Sequence, residues 1–79
     1  MNDKSYARVM AAKTHELAID VHWVSMWHHA DEGNYELAMT SQLLCLVNRD
    51  EWNDLTDTFT DRDWHTLTEM HNIMRGKSW

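Results

Sequence analysis

Apolar residues recur along this chain at helical spacing, and strict apolar–polar alternation is never sustained beyond a few positions. Near the start they fall on two stripes. Tyr6, Met10, Leu17, Val21 and Val24 form one; Val9, Ala12, Ile19, Trp23, Met26, Trp27 and Ala30 form the other. The pattern predicts an all-α chain whose first helix runs from about Ser5 to Asp31. Two stripes cover more than a single amphipathic face, so this helix should meet two sets of neighbours. Gly33, after the acidic turn Asp31–Glu32, stands where a C-cap glycine ends a helix. A second helix is predicted from Tyr35, capped by Asn34, to about Val47. It is apolar almost all round, the mark of a buried central helix.

Two further starts are expected from capping-box spacing. Asn48 and Glu51 are flanked by Val47 and Trp52, and Thr60 and Asp63 by Phe59 and Trp64, the pairs that make a hydrophobic staple. Helices should therefore begin near Arg49 and Asp61, the second ending at Gly76, with their fusion into one kinked helix as the alternative. Trp52, Leu55 and Phe59 should face inward on the third helix. Trp64, Leu67, Met70 or His71, and Met74 should do so on the fourth. The expected architecture is one domain over residues 1–79, a compact bundle of three to four helices with a long N-terminal helix as spine.

Length sharpens this picture. A chain of 79 residues hides only about 60% of its unfolded surface, and small scaffolds commonly complete a core by oligomerising. With apolar surface to spare on the first helix, a homodimer is expected. The single cysteine, Cys45, lies in an apolar run and reads as a small core residue. That run is too short to span a membrane, and the polar start shows no signal-peptide pattern, so the expected location is cytoplasmic.

Charge narrows the partners. Thirteen acids face seven Lys and Arg, a net charge of −6, which argues against direct nucleic-acid binding because affinity for phosphates comes from cations. The acidity is local. Asp50, Glu51, Asp54, Asp57, Asp61 and Asp63 lie in one short segment, with Asp50, Asp54 and Asp57 at helical spacing opposite Trp52, Leu55 and Phe59 and Asp61 just beyond. Such a ridge either solvates the domain or presents carboxylates to a basic protein surface, at its sharpest a nucleic-acid-binding groove.

A second pattern lies on the first helix. Ala11, Ala18 and Ser25 recur every seven residues, as do His15, His22 and His29, alternating as in a coiled-coil seam. Small residues admit a close helix, so this seam is one candidate for self-association. The Trp23, Met26 and Trp27 stripe is the other, since exposed tryptophans at this density suit a binding hot spot; Trp79, beyond the last cap, has nothing local to pack on. Histidines two turns apart cannot share one ion, and no HExxH, CxxC, GxSxG or phosphate-loop motif is present. Catalytic residues, a cofactor and a metal are therefore not expected. The function expected is a non-catalytic acidic protein that binds and regulates or inhibits a larger protein, of the kind that phages and mobile elements encode. The alternative is a structural, oligomeric helical protein whose histidines tune assembly or hold a metal.

Overall fold

In a computed structural model, which describes the backbone of residues 3–77 and the side chains of residues 6–74, the chain is all-α. It has three helices: α1 (Asp3–Asp31), α2 (Tyr35–Thr56) and α3 (Asp61–Lys77). The α1 boundary falls where the glycine predicts. Gly33 adopts φ +78°, a left-handed conformation that suits a residue without Cβ. Its N–H donates to Ala30 O at 3.0 Å and Asn34 N–H to His29 O at 2.8 Å, the paired bonds of a Schellman cap. Asn34 then opens α2, its Oδ1 accepting from Leu37 N–H at 3.3 Å.

The second predicted boundary is absent, and α2 runs unbroken through Asn48 to Thr56. The fusion joins the predicted second and third helices, not the third and fourth. Asn48 is satisfied without leaving the helix. Its Nδ2 donates to Leu44 O at 2.8 Å, and its Oδ1 lies 2.8 Å from His15 Nδ1 on α1. With Oδ1 as acceptor, His15 carries its proton on Nδ1. No glycine or proline separates Tyr35 from Thr56, so nothing local stops propagation.

The third predicted boundary holds in full. Thr60 N–H donates to Asp63 Oδ2 at 3.0 Å and Asp63 N–H to Thr60 Oγ1 at 3.2 Å, a reciprocal capping box. Phe59 and Trp64 close the staple, their ring centroids 5.0 Å apart. At the far end α3 continues one residue past Gly76, to Lys77.

The α1–α2 pair is an antiparallel hairpin. His15 meets Asn48, and Cys45 Sγ donates to Ile19 O at 3.5 Å. Continuing that register sets Ala11 level with Trp52 and Ser25 level with Ala38. α3 crosses the N-terminal half of α1 on another side, with Asp63 against Arg8 and His71 against Lys13. Trp64 of α3 also meets Trp52 of α2, ring centroids 6.1 Å apart.

This arrangement leaves a thin core. Val9 and Ala12 of α1, Ala38 and Cys45 of α2 and Leu67 of α3 are the buried apolar residues among those described. The expectation that α2 is a buried central helix is overturned. It packs on α1 by one face, Ala38, Ser41, Cys45 and Thr56, while Met39, Leu43, Leu46 and Val47 on its outer side are exposed. Of the inward set expected further on, Leu67 is buried; Trp52, Leu55, Phe59 and Met70 are half-buried; Trp64, His71 and Met74 are exposed. The Cα extents are 47 × 31 × 16 Å and the radius of gyration is 14.8 Å, against roughly 12 Å for a compact chain of this length.

Candidate functional site

Five of the acidic residues gather around the α2–α3 turn, at one end of the molecule. Asp50, Glu51 and Asp54 stand on the last turns of α2, Asp57 is its C-cap, and Asp61 opens α3; all five are exposed. None enters an ion pair with another described residue. Asp50 and Asp54, one turn apart, stand roughly 5–6 Å from each other at Cβ, and the turn brings Asp57 and Asp61 into the same region. The group is therefore open to solvent and to a partner of opposite charge.

Asp63 does not belong to that surface. It is fully buried, bound to Thr60 in the capping box and paired with Arg8 Nη2 at 3.1 Å. Asp63 is close to the other acids in sequence, but Arg8 lies on α1 and pairs with this carboxylate on the inside. It fixes the start of α3 to the spine and so positions the remaining acids.

The Ala11, His15, Ala18, His22, Ser25 and His29 seam is half-buried along its whole length and faces α2 within the same chain. Small residues permit the approach, and the second helix that uses it comes from the same molecule. The histidines stay apart, and among the described residues no group of three or more His, Cys, Asp or Glu side chains is placed to hold a metal ion. Two other imidazoles sit one turn from a carboxylate: His28 pairs with Glu32, and His65 with Glu69 at 3.1 Å. Both pairs are largely exposed, where such contacts contribute a few tenths of a kcal/mol at most.

Trp23 and Trp27 remain exposed, packed edge to face with centroids 5.9 Å apart, and Met26 between them is half-buried. Val9 and Ala12, earlier on the same stripe, are fully buried in the half of α1 that α3 crosses. The stripe outruns its neighbour, and its C-terminal half stays open. Trp79 lies outside the described residues.

One polar cluster was not legible in the sequence. Lys13 is buried, and its Nζ donates to Glu16 Oε2 at 3.2 Å and to His71 Nδ1 at 3.3 Å. With Ile19 and Asp20 these residues line a shallow groove of about 250 Å³ where α3 leaves α1. An ammonium donates and does not accept, so in this contact His71 Nδ1 is the acceptor. The only local signal is Lys13–Glu16 at i,i+3 spacing; the pairing with His71 depends on the helix crossing. No helix is long and apolar enough to cross a membrane among the described residues. No protein-family model, curated protein or solved structure matches this chain.

Proposed function

We propose that this chain is a non-catalytic interaction module that binds a larger protein through its acidic end and thereby regulates or inhibits it. The observation that carries this reading is the placement of Asp50, Glu51, Asp54, Asp57 and Asp61. All are exposed at one end of an elongated molecule, with no ion pair inside the described chain to neutralise them. Carboxylates at about helical spacing fit a surface whose cations are likewise spaced, and the groove of a nucleic-acid-binding protein is such a surface. The chain then acts by occupying the groove in place of phosphates. Arg49 and Arg62 border the acids and set a limit on how phosphate-like the ridge is. The partner is a cytoplasmic protein with a basic face, and no nucleic acid is contacted directly.

The test is capture from the native host with identification by mass spectrometry, repeated with Asp54→Asn and Asp57→Asn together. The substitutions leave size and helix almost unchanged, so a loss of tenfold or more in capture, matched by sensitivity to added salt, supports the ridge. Capture that survives both the substitutions and high salt rejects it. A structural, oligomeric role is favoured by a separate observation, the breadth of exposed apolar surface on α1 and α2.

A further inference from the structure

We propose that the side of the α1–α2 hairpin opposite α3 is covered by a second copy of this chain, two hairpins closing back to back into a four-helix bundle. Helical phase gives α1 three sides. Ala11, His15, Ala18 and His22 meet α2; Val9 and Ala12 are buried in the half that α3 crosses; Met10, Leu17, Val21 and Val24 form the third side and are exposed by 40–67%. Along α2, Leu37 and Leu44 each precede by one residue a position buried against α1, Ala38 and Cys45. With α2 antiparallel to α1, that phase turns them to the same third side, where they are 45% and 39% exposed.

Between Leu17 and Val24 on α1 and between Leu37 and Asn48 on α2 this side is uncharged, and Glu51, seven residues on from Leu44, places a carboxylate at its Met10 end. The four charged residues of α1 between Tyr6 and Val24 all turn toward α3. Arg8 is tied to Asp63, Lys13 to His71, Glu16 to Lys13, and Asp20 lines the same groove. On α2 no charged residue occurs from Leu37 to Asn48. The face is therefore two helices wide and about 25 Å long, and uncharged except at its Glu51 end.

Charge and area together select the occupant. The basic protein proposed for the acidic end finds Glu51 at one end of the face and no carboxylate along the rest of it. A membrane surface is disfavoured as well, because no Lys or Arg rims the face and the chain is net acidic. A second copy meets neither difficulty. Apart from Glu51 the acids of α2 lie off this side, and an antiparallel two-fold contact sets the two Glu51 side chains at opposite ends, so two acidic molecules join here without bringing like charges together. The six side chains named, with Tyr6 at the edge, offer on the order of 1,000 Å² over two copies, the size at which specific interfaces begin. A two-fold axis makes such a contact close on itself, apolar against apolar.

The experiment is sedimentation equilibrium of the full chain across a wide concentration range, with Val21→Glu and Trp27→Glu as variants and circular dichroism to follow helix content. Val21 and Trp27 are both more than half exposed, so neither charge is forced into the core. The wild type is expected at twice the 9.4 kDa chain mass. Val21→Glu should weaken assembly at least a hundredfold with helix content retained, and Trp27→Glu less than threefold. A wild type that stays monomeric at high micromolar concentration overturns the proposal, and so does a dimer lost in Trp27→Glu and kept in Val21→Glu. A monomer that floats with phosphatidylcholine vesicles assigns the face to lipid and overturns it as well.

Discussion

Asp63 shows how far one residue's role depends on distant sequence. Its partner in the capping box, Thr60, is three positions away and legible from spacing alone. Its ionic partner, Arg8, is 55 positions away and not legible at all, which is why Asp63 reads as one more surface acid. The two roles predict different magnitudes. Thr60→Ala removes one cap bond and should lower stability by about 1 kcal/mol. Asp63→Ala removes the cap and strands a guanidinium, and should cost about 2–3 kcal/mol. The loss stays below that of a fully buried pair because the Arg8 side chain is 34% exposed. Urea denaturation of both variants measures the difference; equal losses would mean the Arg8 pair contributes nothing. Asn48 is the converse case. Its spacing to Glu51 satisfies a cap pattern, but His15, 33 positions away, gives its amide a use inside the helix. A double-mutant cycle of His15→Ala and Asn48→Ala should return a coupling of about 1 kcal/mol, and strict additivity would show the bond to be idle.

Elements were legible where a local stop exists. Gly33 ends α1 because the next turn needs positive φ, and a Cβ placed there meets nothing within 4 Å. Gly33→Ala should therefore cost about 1–2 kcal/mol through backbone strain alone, and thermal melts of the two proteins measure it. A loss above about 3 kcal/mol would point to a clash the geometry does not contain. The Thr60–Asp63 start was legible for the same reason: polar bonds and an aromatic staple agree over five residues. The start expected at Arg49 was not real, because a capping pattern shows that a helix can begin there and not that the preceding one has ended. Amide hydrogen exchange separates the two cases directly. In a continuous α2 the N–H groups of Arg49 to Trp52 are bonded within the helix and should exchange as slowly as those of Leu44 and Cys45. A helix start would leave them open and fast.

For the whole molecule, the surplus of apolar surface was evident in the sequence and its location was not. The two stripes of α1 are read from helical phase, yet phase cannot say which of them α3 crosses. That choice rests on Arg8–Asp63 and Lys13–His71, contacts between ends of the chain. Nor could the Ala/Ser/His seam be assigned to a second chain or to α2, since either helix presents the same close approach. Once α2 takes the seam and α3 crosses the half of α1 that buries Val9 and Ala12, the third side of the hairpin remains, apolar except at its Glu51 end. In the proposed pair, covering that side adds stability to a slab 16 Å thick in Cα extent with a core of a few small residues, so the melting temperature should rise with protein concentration. In the proposed pair Asp50, Asp54, Asp57 and Asp61 lie off the covered side, and Glu51 lies at its edge.

Methionine oxidation by dilute peroxide tests that division of surface most directly, because one molecule carries both probe and control. Met10 lies on the third side at 40% exposure, and Met39 on the outer edge of α2 at 63%. Back-to-back pairing predicts that, as the chain is concentrated, oxidation of Met10 slows at least tenfold while Met39 keeps its rate. Unchanged rates at both positions, or protection of Met39 with Met10 left reactive, would contradict it.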